Sequence, residues 1–234
     1  MEHSHTKKAI NARLTKRPPK SYLRDWIYGG IDGAITTFAI VSGVTGAHLS
    51  VKTILILGIA NLVADGFSMA ASNYLGTKSE HDQLKLLENF ERDQIQKEPV
   101  GEKEEVRQIL IKKGFSGTTL EGATNTFTAE PGRWINLMLS EEYGLSTQLR
   151  SPLKAALTTF TAFCICGLVP LLPFIVGSTS SIYFSMISTA GVFFFVGSFK
   201  AKWSIVPWWR QGFETLAVGS IAAVIAFVVG ILLG

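Results

Sequence analysis

Charge in this chain is confined to three islands, and the stretches between them are too long and too apolar for a water-soluble fold. Seven of the 22 Lys and Arg residues lie in 1–25, eleven in 78–154 and three in 198–213, leaving only Lys52 elsewhere. Charged residues make up 17% of the chain and apolar residues 47%, whereas a soluble domain carries about 25% charge. A bilayer core takes about 20 mostly apolar helical residues, and five windows meet that need: 26–47, 53–77, 155–177, 182–199 and 213–233. The expected fold class is an all-α membrane protein with five transmembrane helices. Disordered, collagen-like and disulfide-framed architectures are excluded. Cys164 and Cys166 fall inside one span on different helix faces, which implies neither a disulfide nor a shared metal.

An odd number of spans puts the termini on opposite sides and gathers all three basic islands on one side. The positive-inside bias makes that side cytoplasmic. The N-terminus is thus expected inside and the C-terminus outside, with short outer connections near 48–51 and 178–181. Residues 1–25 form a basic segment carrying Lys7, Lys8, Arg13, Lys16, Arg17 and Lys20; it reads as a solvated segment facing the lipid surface rather than a cleaved signal. Spans one and two occupy 26–77, a cytoplasmic insert 78–154, and spans three to five 155–234.

The insert holds 13 of the 18 acidic residues. Helical periodicity predicts three amphipathic helices within it. Glu80 to Lys97 ends at Glu98-Pro99, because the residue before proline avoids the helical region. Glu102 to Lys113 stops at Gly114. After a turn-rich stretch, Pro131 opens a third helix to about Tyr143. Glu91 and Glu98 share a face of the first helix, Glu102 and Glu105 are one turn apart on the second, and Met138 and Glu142 are an i, i+4 pair on the third. Packed together, these would form an oxygen-rich site with one thioether, suited to divalent transition metals; a solvated acidic face is the competing reading.

Acidic residues inside the spans are more pointed, since a carboxylate near the bilayer centre costs at least about 2.5 kcal/mol and marks an ion or proton path. Asp32 interrupts span one, and Asn61, Asp65 and Met69 form a polar stripe along span two at i, i+4 and i+8. Counted at about 1.5 Å per residue from the cytoplasmic side, Asp32 and Met69 are expected at similar depth on neighbouring antiparallel helices. A carboxylate joined by sulfur favours softer first-row ions over Mg²⁺ or Ca²⁺. Gly29 and Gly33 form a small-xxx-small pattern at which two copies of span one could meet, doubling the ligands. Pro170 and Pro173 predict a kink in span three. Glu214, near the start of span five, either favours the helix dipole or relays protons at the cytoplasmic mouth.

The segments DGAITTFAIVSGVTGA (32–47), ADGFSMAASNYLGTKSE (64–80), VPLLPF (169–174) and GFETLAVG (212–219) resemble the vacuolar iron transporter family, proton-coupled exporters of Fe²⁺ and related ions. The resemblance runs from about Arg24 across nearly the whole chain. It implies a dimeric five-span bundle with a three-helix cytoplasmic metal-binding domain. By position it makes Asp32 and Met69 pathway ligands at the dimer interface, and Glu91, Glu102, Glu105 and Glu142 metal-binding carboxylates with Met138 as the sulfur ligand. Three departures stand out: Asn61 replaces a second-span glutamate while Asp65 supplies a carboxylate one turn later, Gln94 replaces one metal-binding glutamate, and Leu139 replaces a second methionine.

The function expected is that of a metal/proton antiporter, not an enzyme, exporting Fe²⁺ and also Mn²⁺, with Co²⁺ and Zn²⁺ as further transported ions. It would have no prosthetic group and no nucleic-acid partner, and would act as a homodimer in a bilayer, a bacterial plasma membrane rather than a vacuolar one. Two readings compete. A ferritin-like store would use Glu-x-x-His pairs, and no glutamate of the insert has a histidine three residues on. A metal sensor would use its spans only as an anchor, which acidic residues at membrane depth argue against.

Overall fold

Proline and glycine set the breaks of this chain, and apolar length sets what lies between them. The structure, a computed structural model, describes residues 4–15, 20–177 and 181–234. Lys16, Arg17 and most of the second outer connection lie outside the described residues. The described residues form ten α-helices and no strand: α1 (Lys7–Thr15), α2 (Leu23–Gly46), α3 (Val51–Lys97), α4 (Pro99–Lys112), α5 (Gly117–Thr128), α6 (Pro131–Glu141), α7 (Pro152–Leu168), α8 (Leu172–Ile175), α9 (Ser181–Lys200) and α10 (Trp208–Leu233). Five stretches are long and apolar enough to cross a membrane: α2, α3, α7 continued through α8, α9 and α10. They coincide with the five windows read from composition. α10 leaves Val218, Ile221, Val224, Ile225 and Val228 exposed; such a surface suits lipid, which solvates apolar side chains on every face of a helix.

Two elements differ from the sequence expectation. Span two and the first helix of the insert are one helix: α3 starts at the Ser50 cap, whose hydroxyl accepts from the Thr53 N–H at 3.3 Å, and runs unbroken for 47 residues to Lys97. Hydropathy falls after Gly76, but no residue there breaks the backbone ladder. The stretch expected to be turn-rich contains α5, so three separate helices, α4 to α6, follow the extension of α3. The expected stops hold at both ends of α4: Pro99 opens it, and Gly114, at φ +91°, closes it in a conformation that favours glycine.

In the bundle α2 packs along α7 and touches α3, α9 and α10. A Cβ at Gly29 would run into the Thr159 carbonyl, and one at Gly33 into the Phe163 carbonyl. These glycines therefore seat α7 of the same chain. This corrects the expectation that they form a meeting face for a second copy. The kink in span three is real: α7 ends in a 3-10 turn over Val169–Leu171. The Pro170 carbonyl there accepts from the Ser185 hydroxyl of α9 at 2.7 Å, which keeps a polar group satisfied at membrane depth.

Outside the bundle, Val106, Leu110, Leu120, Trp134, Leu137 and Met138 form a separate apolar cluster that joins α4, α5 and α6.

Candidate functional site

α2 and α3 run antiparallel, and polar contacts step along them in register. Farthest from the insert, the Asn61 amide donates to the Thr36 hydroxyl at 3.2 Å, while that hydroxyl donates to the Asp32 carbonyl at 2.9 Å. One turn nearer the insert, Asp32 and Asp65 are close enough to interact electrostatically. Nearest the insert, the Asn73 amide donates to Asp25 Oδ1 at 3.0 Å. Asp32, Asp65, Asn61 and Met69 are all half-buried. Among the described residues, neither the Asp32 nor the Asp65 carboxylate has a hydrogen-bond donor or a basic partner. Two acidic groups thus lie within electrostatic reach of each other inside the spans, with no basic side chain among the described residues paired to either.

Met69 does not stand level with Asp32. It lines a cleft of about 400 Å³ with Asp25, Tyr28, Ser72, Asn73 and Arg150, and Asp32 is not among the lining residues. Register explains the offset: Asp65 is the residue opposite Asp32, and Met69 is one turn closer to the insert, about 6 Å along the axis. Carboxylate pair and thioether therefore stand about one helical turn apart along the facing helices.

In the insert, Glu91 from the α3 extension and Glu102 from α4 are buried, whereas Glu105 and Glu142 stand exposed at the rim. The Tyr143 hydroxyl donates to Glu91 Oε1 at 2.8 Å. Among the described residues, no hydrogen-bond donor reaches Glu91 Oε2 or Glu102 Oε2, both of which are buried. Burial first, and then the charges of Glu91, Glu105 and Glu142, push the Glu102 carboxyl up to about 7. Burial and the same kind of neighbours raise Glu142, and burial with the Glu91 bond raises the Tyr143 phenol. The four glutamates thus share one acidic basin, yet among the described residues no three His, Cys, Asp or Glu side chains stand close enough to hold one ion. Met138 is wholly buried in the apolar cluster of the insert, and Leu139 is buried beside it. Its position is that of a packing residue. Glu214 lies on the exposed face of α10, outside the α2–α3 groove.

A model of the VIT family matches residues 23–231, which takes in every element from the start of α2 into the last turn of α10. The chain belongs to the VIT family. Among its relatives, vacuolar iron transporter 1 of Arabidopsis thaliana is 31% identical over 88% of this chain and 83% of its own length. The vacuolar iron transporter of Plasmodium berghei is 30% identical over 92% of this chain and 83% of its own length. That of Toxoplasma gondii is 35% identical over 66% of this chain and 52% of its own length.

Sequence reasoning passed over a polar cluster that joins α2, α3 and the start of α7. Asp25 is 4% exposed and paired with Arg150, and the Asn73 amide bridges Asp25 to the Thr159 hydroxyl. These residues are up to 134 positions apart, so no local pattern connects them. The only sequence signal was an acidic residue at a membrane boundary.

Proposed function

We propose that this chain exports Fe²⁺, with Mn²⁺ as a second substrate, in exchange for protons, using the groove between α2 and α3 as the path. Support comes from the unneutralised Asp32–Asp65 pair, together with membership of a family whose relatives are named vacuolar iron transporters. A facing pair of carboxylates at lipid depth is relieved either by a divalent cation or by protons. Because carboxylates ligate well only when ionised, proton entry from the far side lowers their hold on the metal and releases it. Met69 supplies a soft donor one turn before the pair and biases entry toward first-row ions. The acidic basin of the insert, on the cytoplasmic side, raises the local cation concentration before entry. Two copies arranged about α2 and α3 would double the ligand set at each station.

In proteoliposomes with an imposed proton gradient, the wild-type chain carries Fe²⁺ and Asp32→Ala abolishes that flux. Undiminished gradient-dependent flux in Asp32→Ala refutes the pathway. Competition among Fe²⁺, Mn²⁺, Co²⁺ and Zn²⁺ in the same assay ranks the substrates. A store or a sensor would bind these ions without moving them.

A further inference from the structure

The cleft that contains Met69 has a second feature on its wall. Asp25, less than one helical turn before Tyr28 on the same cleft wall, is buried on α2, and its charge is met from across the molecule. Arg150 lies in the connection between α6 and α7, and its Nη1 alone stands 2.8 Å from Asp25 Oδ1 and 2.7 Å from Oδ2. The strongest arginine–carboxylate pairs use two parallel N–H bonds from the guanidinium fork. Here a single nitrogen straddles both oxygens, the place a chelated cation would take. The Asn73 amide also donates to Asp25, while the Ser68, Ser72 and Thr77 side chains line the same cleft near Met69.

Only the end of the Arg150 side chain needs to move to vacate this place. Its carbonyl accepts from His81 Nε2 of α3 at 2.6 Å, and the next N–H, of Ser151, donates to the Tyr22 hydroxyl at 3.0 Å. The backbone is therefore pinned on both sides, and the side chain is 23% exposed, with a route to solvent. Arg24 and Glu80 also line the cleft, so its four charged groups cancel while Arg150 is in place. With Arg150 withdrawn, one negative charge is left, buried at Asp25.

We propose that Asp25 is a cation station at the entrance of the groove, and that the Arg150 guanidinium holds it as a tethered counter-ion that an incoming divalent metal displaces. The proposal rests on the transport reading above. Arg150 keeps the buried carboxylate neutralised between transport events and sets the affinity of the entrance by competing for it.

The test uses the full chain. In proteoliposomes, Arg150→Gln removes the competitor and lowers the KM for Fe²⁺ about fivefold, Asp25→Asn raises it about tenfold, and Arg150→Lys stays near wild type. An unchanged KM in Arg150→Gln, with only kcat or folded yield reduced, makes the pair a structural staple and overturns the proposal. A second arm needs no flux: Mn²⁺ titration of the detergent-solubilised chains, followed by electron paramagnetic resonance. Arg150→Gln gains affinity at one site, and Asp25→Asn, which keeps a polar side chain of the same shape, loses that site. Equal Mn²⁺ binding in wild type and Asp25→Asn overturns the proposal even if Arg150→Gln does not fold. Wild-type chains that bind Mn²⁺ through Asp25 yet carry no Fe²⁺ would sink the transport reading and leave the station standing.

Discussion

At Gly33 the bundle brings α2 against the backbone of α7, with no room for a Cβ, whereas Gly122 of the insert sits on an open face of α5 with nothing within reach. The contrast extends to what fills the two interiors. In the bundle, Gly29, Gly33 and Gly167 let helices meet backbone to backbone; in the insert, Leu110, Trp134 and Met138 interlock as large side chains. Lipid offers no hydrophobic gain for pairing apolar helices, so close van der Waals contact and small residues hold the bundle together. The insert is rich in charge on its surface, and burial of apolar area does the same work there.

Four measurements break or sharpen that contrast. The largest effect is expected from Gly33→Val. Overpacking costs about 1–3 kcal/mol where side chains can shift, occasionally more; here the obstacle is the Phe163 backbone, which cannot rotate aside, so the cost goes beyond that range and the α2–α7 contact is lost. Size-exclusion chromatography in detergent should show loss of the monodisperse folded chain. Next comes Leu110→Ala, worth about 2–5 kcal/mol for a buried leucine. Hydrogen–deuterium exchange should speed up across α4, α5 and α6 and leave α2 and α7 protected; faster exchange in the bundle as well would show that the two regions are one cooperative unit.

A smaller effect comes from pH. The Glu102 carboxyl is raised from its ordinary 4.5 to about 7, so the folded insert binds more protons than the unfolded chain across that interval. Stability therefore falls as pH rises from about 4.5 to about 7, the reverse of an ordinary salt-bridged carboxylate. Thermal melting of the insert should shift down over this range, Glu102→Gln should flatten the shift, and Mn²⁺ should reverse it, binding more tightly at pH 8 than at pH 6. The smallest effect is Gly122→Ala, which should stabilise the insert by about 0.5–1 kcal/mol through helix propensity, read as a slightly higher melting point.

The same contrast decides what could be read from sequence. The five spans were legible because their length without charge is a solvent requirement that acts on each segment alone. α5 was not, since GTTLEGATNTFT is rich in glycine and β-branched or turn-forming residues, and only the spacing of Leu120, Ala123 and Phe127 betrays its buried face. Continuity of α3 was hidden for the opposite reason: composition changes near Lys78 while the backbone does not. The acidic residues within the spans stood out by their cost in lipid, but what lies opposite them did not. Asp32 faces Asp65 rather than Met69, which follows from helix register, and the Asp25–Arg150 pair follows from tertiary packing; neither leaves a trace in local spacing.

The unbroken α3 makes the two regions mechanically continuous. Its 47 residues amount to a rod about 70 Å long, with Asp65 and Met69 on one portion and Glu91 near the tip of the other. From Lys78 onward about 30 Å projects as a lever. A tilt of about 10° at the bundle end sweeps the tip at Lys97 through about 5 Å, so any rocking of α3 within the bundle is carried into the position of Glu91 and the helices packed around it.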